Sequence, residues 1–134
     1  MIEDDRRLVV FAEKQKGGAK WLRPAFESIQ ETPYTFKRTS QLTDSGELAA
    51  SCAENRGEPG ASLFQINHWI DTSPAPKPSN AEKVNARGPL LRRVHECQRR
   101  RGLLPNVVAV DFYRRGDVIG VVDELNGVRS PAAK

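Results

Sequence analysis

Three short apolar runs, each ending in a polar residue, constrain this chain more than any other feature. They are Leu8-Val9-Val10-Phe11-Ala12-Glu13, Leu63-Phe64-Gln65-Ile66-Asn67-His68-Trp69 and Val107-Val108-Ala109-Val110-Asp111-Phe112-Tyr113. Runs of about four to eight β-branched and aromatic residues with little alternation describe strands buried on both faces, as in a parallel sheet. In parallel α/β folds ligands meet the protein at the carboxyl ends of such strands. Glu13, Asn67, His68 and Asp111 therefore occupy the positions where chemistry is expected. Asp111 is the most telling, because its carboxylate emerges directly from four apolar residues.

The segments between the runs read as helices and loops. Trp21, Leu22, Ala25, Phe26 and Ile29 recur at helical spacing, with Pro24 near the first turn. The residue before a proline favours extended backbone, so Thr32-Pro33-Tyr34-Thr35-Phe36 is expected to form a second strand. Residues 37–61 are loop-rich, with one helical turn around Leu48 to Cys52 and a tight turn at Glu58-Pro59-Gly60. Pro74, Pro76 and Pro78 make a stiff connection, and Ser79 or Asn80 can cap a short helix carrying Val84. The best helix runs from Pro89 to Arg101 with Leu90, Leu91, Val94 and Cys97 as its apolar stripe and Gly102 as its stop. On that helix Arg92, Arg93, Arg99, Arg100 and Arg101 read as the solvated outer face, and His95 as solvated with them. Val118 to Leu125 reads as a final helix, and 130–134 as a frayed tail.

Composition narrows the class. With 134 residues, 38% hydrophobic and 28% charged, the chain is one globular unit. Its net charge of +4 is mild and its acidic residues are interspersed, which speaks against a nucleic-acid-binding role. No stretch approaches the roughly 18 apolar residues of a membrane span. Met1 to Arg7 carries no apolar signal region, so the chain taken as complete is expected in the cytoplasm. Cys52 and Cys97 are either a disulfide, if the gene product is exported, or two buried thiols. No Cys or His spacing suggests a zinc site.

The alternation gives four βα units over 1–134, a single partial domain. About eight such units close into a barrel, so the expected fold is α/β, with parallel (β/α) units forming half of a TIM-type barrel. Strands 7–12, 32–36, 62–69 and 107–112 are expected to be parallel and adjacent in that order.

The ordered set Arg7 to Glu13, Glu31-Thr32-Pro33-Tyr34, Cys52 with Asn55-Arg56-Gly57, Ser62 to Trp69, Ala81 with Val84-Asn85, and Pro105 to Tyr113 resembles the phospholipase C-like phosphodiesterases. That superfamily includes the phosphatidylinositol-specific phospholipases C of bacteria, and the likeness is to its exported actinobacterial-type members. It covers nearly the whole chain but only the carboxyl-terminal half of the family's barrel. The resemblance implies a phosphoric diester hydrolase in which a neighbouring hydroxyl attacks phosphorus, one histidine acting as general base and another as general acid. Both belong to the family's first strands, which this sequence does not match.

By the same resemblance Asp111 takes the position of the carboxylate that orients the base histidine. Asn67 faces the pocket mouth, with His68 on the opposite side. Tyr34 offers a ring for stacking on a substrate or for packing at the rim. Glu13 stands where the bacterial lipases carry a basic substrate-contacting residue, a departure that weakens the case for inositol phosphate. Calcium, where the family uses it, would be bound by residues outside this chain. The implied partners are a phosphodiester substrate such as a phospholipid head group, and an amino-terminal half-barrel or a second copy. Secretion is implied if an exported half lies upstream. The alternative is a non-catalytic half-barrel remnant acting as a binding module.

Overall fold

The computed structural model describes residues 8–14 and 19–128. The chain forms β1 (Val10–Ala12), β2 (Leu22–Pro24), α1 (Ala25–Ser28), β3 (Ile29–Glu31), α2 (Ser40–Thr43), α3 (Leu48–Ser51), β4 (Leu63–His68), α4 (Pro78–Val84), α5 (Arg87–Arg101), β5 (Val107–Val110) and α6 (Val118–Leu125). Among the described residues all strand pairings are parallel and no barrel closes: β3, β4 and β5 form one sheet in that order, and β1 pairs with β2 in another. The architecture is α/β with an open parallel sheet, consistent with half of a TIM-type barrel. The tail 130–134 and the segment Met1 to Arg7 lie outside the described residues.

Two expectations are corrected by the same residue type. The helix expected from Trp21 to Ile29 is a strand, one helical turn and another strand. Pro24 disfavours the α conformation at Arg23, so the chain stays extended until the proline and turns helical only after it. The strand expected at 32–36 lies upstream, at Ile29–Glu31. Thr32 still donates its N–H to Gln65 O at 3.1 Å, but Pro33 has no N–H to continue the ladder.

The first strand is not beside β3, as expected, but beside β2. The outer edge of β3 is already taken. Glu31 N–H donates to Arg56 O at 3.0 Å and Asn55 N–H donates to Glu31 O at 3.2 Å, so the Asn55-Arg56-Gly57 loop occupies that edge. Gly57, at φ 95°, is required there: a Cβ would stand 2.0 Å from Ile29 O.

The remaining elements form close to their expected places. α5 begins at Arg87 and stops where Gly102, at φ 68°, returns its N–H to Gln98 O. Its stripe of Leu90, Val94 and Cys97 packs with Phe64 and Ile66 of β4 and Val118 and Val121 of α6 in the main core. Phe36, Leu42, Ile70 and Val84 form a second cluster. Cys52, at the end of α3, is disulfide-bonded to Cys97 of α5, with 4.9 Å between their Cα atoms. The covalent alternative is therefore the one realised.

The expected wet face of α5 is corrected at Arg93, which is fully buried. Arg101 is also drawn inward, its guanidinium 5.2 Å from the centre of the Phe64 ring and bonded to Gln30 Oε1.

Closing a loop between residues 45 apart removes chain entropy from the unfolded state. Loop-closure entropy puts the stabilisation at about 4 kcal/mol. We expect Cys52→Ala/Cys97→Ala to lower unfolding free energy by up to that amount in a denaturant titration, and reduction of the native chain to do the same.

Candidate functional site

The alternation of β4 sorts its polar residues onto two faces. Gln65 and Asn67 point to one, Phe64, Ile66 and His68 to the helix-covered other. Register places Glu31 beside Gln65, and Asn67 beside Ala109. The carboxyl end of the sheet thus carries a polar group on one face and a sealed histidine on the other.

The polar group is organised by Glu31, a carboxylate only 1% exposed. Its oxygens accept from Asn55 Nδ2 at 3.0 Å, Asn67 Nδ2 at 3.1 Å and Arg56 Nε, with Gln65 Nε2 at 3.5 Å. Asn67 also donates to Thr32 O at 2.8 Å and accepts from Gln65 Nε2 at 2.7 Å. The Arg56 guanidinium lies 4.4 Å from the centre of the Phe26 ring and 4.8 Å from that of Tyr34, and pairs with both Glu31 and Glu13. The hydrogen bond to Glu31 pushes the Arg56 pKa upward, keeping it charged. Glu13, Tyr34 and Asn67 are thus brought together through Arg56 and Glu31. Glu13 is exposed and Tyr34 half-exposed, so this group opens to solvent on one side.

On the other face His68 is wholly buried. Its Nε2 meets Val84 O at 2.9 Å and its Nδ1 meets Arg93 Nη1 at 3.0 Å. Arg93 has only donors, so Nδ1 accepts and the proton resides on Nε2. Burial, reinforced by the Arg93 charge, pushes the His68 pKa down to about 3. Both ring nitrogens are engaged within the fold. The other histidine, His95, is exposed on α5.

Asp111 lies apart from the Glu31 group, one residue beyond the paired stretch of β5. It lines a narrow crevice with His68, Trp69 and Lys77, and burial raises its pKa from the ordinary aspartate value. Its backbone is held by Asn85 Nδ2, which donates to Asp111 O at 3.0 Å. Asn85 Oδ1 is buried with no hydrogen-bond partner among the described residues. The next residue, Phe112, has φ 49°, an uncommon conformation for an aromatic side chain. Backbone strain of this kind clusters at functional sites.

The sequence places Asn67 and Glu13 at strand ends and Tyr34 inside the expected second strand; Glu31 and Arg56 stand in the segments of family resemblance without being candidates for the site, and they are the pair that joins the three. The polar residues at 65 and 67 of an otherwise apolar strand were a usable signal for that face. Nothing in the spacing pointed to Arg56, which reaches the site from a loop. Among the described residues no group of three or more His, Cys, Asp or Glu side chains is placed to hold a metal ion. The Glu13 and Glu31 carboxylates of the polar group are both engaged by Arg56. No described helix is long and apolar enough to cross a membrane.

An open parallel α/β sheet with its polar residues gathered at the carboxyl strand ends defines a partial barrel of the kind that carries hydrolase sites. The PI-PLC X family model (PI-PLC X 1) matches residues 1–126, and the chain belongs to that family. No curated protein matches significantly, and neither does any solved structure.

The buried histidine makes a signed prediction. The unfolded chain protonates His68 below about pH 6.5 whereas the fold resists until about pH 3. Stability that is present above the unfolded pKa is therefore lost as pH falls through this window, by about 1.4 kcal/mol per pH unit. Compared with His68→Gln, the native chain should show that extra acid-side slope in unfolding free energy between about pH 6 and 4. Parallel pH profiles for the two proteins would contradict the assignment.

Proposed function

We propose that this chain is the carboxyl-terminal part of a phospholipase C-like phosphoric diester hydrolase, with Asp111 as the carboxylate that orients a base histidine. The observation that carries the reading is the placement of Asp111. It stands at the carboxyl end of the last strand, with its backbone tied to Asn85 and a strained Phe112 immediately after it. In this role the carboxylate holds an imidazole in one tautomer and stabilises the cation formed when it takes a proton, without becoming protonated itself. Neither histidine of the chain supplies that imidazole: His68 is sealed and His95 is on the outer helix. The acid and base would come from a histidine-bearing βα half outside these residues.

Substrate contact falls to Asn67, Tyr34 and Glu13 with the Glu31–Arg56 pair that joins them. The exposed Glu13 carboxylate, the half-exposed Arg56 guanidinium and the Tyr34 ring offer an acceptor, donors and an aromatic face, which suits the hydroxyl-rich side of a phospholipid head group, while Asn67 and Glu31 hold them from beneath. The disulfide supports export, since such bonds persist in oxidising compartments.

A second reading, a non-catalytic half-barrel serving as a binding module, is favoured by one observation. Both ring nitrogens of the only buried histidine are consumed by the fold.

The test is hydrolysis of a chromogenic phosphodiester by residues 1–134 alone and by the same chain joined to a histidine-bearing half of a PI-PLC X protein. The short chain should be inactive and the joined protein active, since each positioned acid or base contributes about 10²–10⁴-fold. Asp111→Asn in the joined protein should lower kcat far more than it raises KM. The same substitution should stabilise the fold at neutral pH, because the raised pKa makes the ionised carboxylate costly there. That gain should fade as pH falls below the usual carboxylate range. An active Asp111→Asn protein would remove Asp111 from the site, and an inactive joined protein would leave the binding-module reading.

A further inference from the structure

The parallel ladder between β4 and β5 ends at the pair His68 and Val110, so Asp111 stands just past the last support the sheet gives. Phe112, at φ 49°, then turns the chain out of the strand direction. A carboxylate that orients an imidazole must be held within about 0.5 Å of its working position. β5 alone does not hold Asp111 in this way. Among the described residues one hydrogen bond reaches it: Asn85 Nδ2 donates to Asp111 O at 3.0 Å, across 26 residues of sequence.

Asn85 is itself fixed from several directions. Its N–H donates to Ala81 O at 2.8 Å in the last turn of α4, and its carbonyl accepts from Asp117 N–H at 2.9 Å. The residue before it, Val84, has its carbonyl taken by His68 Nε2 at the end of β4. Gly116, at φ 79°, lies so close that a Cβ would stand 2.4 Å from the Asn85 backbone. One wholly buried residue therefore grips the segment 111–117 at both ends and refers it to α4 and β4.

The amide is a poor choice for stability alone. Asn85 Oδ1 is buried without a hydrogen-bond partner among the described residues, and an unpaired buried acceptor is a cost to the fold. Flipping the amide would set Oδ1 against Asp111 O, two acceptors face to face, so the observed orientation is the one that serves Asp111. An apolar side chain of similar size would avoid the unpaired oxygen but would leave Asp111 O unheld.

We propose that Asn85 is the positioning residue for Asp111, fixing the direction of its carboxylate by holding its main-chain carbonyl. The inference rests on the reading of Asp111 as the carboxylate that orients a base histidine, and it names the residue on which that orientation depends.

The test has two arms. In the joined protein Asn85→Ala should lower kcat by about 10²-fold, the loss that a misplacement of about 1 Å causes, with KM unchanged because Asn85 is sealed from substrate. In an Asp111→Asn background the same substitution should lower kcat no further, since the effects of residues that act as a unit do not add. A full further loss there would assign Asn85 a structural role and overturn the proposal. The second arm needs no catalysis: carbon-13 titration of the Asp111 carboxyl in residues 1–134. Its midpoint should move in Asn85→Ala from the raised native position toward the ordinary aspartate value, as the released turn lets water reach the carboxylate. Lys77 and His68, which share the crevice with Asp111, are left in place by the substitution. An unmoved midpoint overturns the proposal whether or not the joined protein is active. A moved midpoint beside a fully active Asp111→Asn protein supports the brace and removes Asp111 from the site, so the two failures are distinct. Asn85→Ala should melt close to the native chain, since the lost bond is offset by removal of the unpaired oxygen. If it does not fold, Asn85→Ser takes its place in both arms, and failure of both to fold overturns the proposal.

Discussion

The buried guanidinium of Arg93 is the point on which the upper part of this structure hangs. Among the described residues no carboxylate pairs with it, yet all five of its donors are used. Nε meets Ser51 Oγ, Nη1 meets Asn67 O and His68 Nδ1, and Nη2 meets Ser51 O and Thr32 Oγ1. The Phe36 ring lies over it at 5.0 Å. One side chain from α5 thereby joins α3, the end of β4 and the first residue beyond β3. Burial lowers its pKa to about 9, still well above neutrality, so the charge persists and the cost of desolvating it is offset by saturation of its donors. Removing any one acceptor would leave a buried charge short of a partner, so the loops around it are constrained together.

That constraint explains why the two faces of β4 have different chemistry. Arg93 fixes His68 as a neutral acceptor on the helix side and takes the backbone carbonyl of Asn67. The Asn67 side chain is left to face Glu31 on the other side. Thr32 couples the two, since its hydroxyl oxygen accepts from Asn67 N–H and from Arg93 while Asn67 Nδ2 takes its carbonyl. The open polar group and the sealed histidine are consequences of one network seen from opposite sides of a strand.

The division into two sheets has an equally local origin. A parallel strand must find a neighbour or another partner for its edge groups. At β3 the Asn55-Arg56-Gly57 loop provides that partner, and the close approach depends on glycine at 57. The same loop delivers Arg56 between Phe26 and Tyr34, so closing the sheet edge and assembling the polar group are one structural event.

Much of this was legible in the residues themselves. The apolar runs at 63–68 and 107–110, the helix that Gly102 terminates and the polar strand ends follow from periodicity and turn chemistry, which depend on near neighbours. Prolines were harder to read. Whether Pro24 and Pro33 start a helix or end a strand depends on which edge lies beside each. Glu31 and Arg56 stand in the segments of family resemblance, but their pairing is not legible there because they lie 25 residues apart in sequence. Arg93 was read as solvated because its neighbours on the helix are charged. What the sequence determined alone was the parallel α/β rhythm and the set of polar residues at its strand ends. Tertiary structure decided which of them meet, which arginine is buried and that Cys52 reaches Cys97, because those outcomes depend on the faces that separate elements turn toward each other.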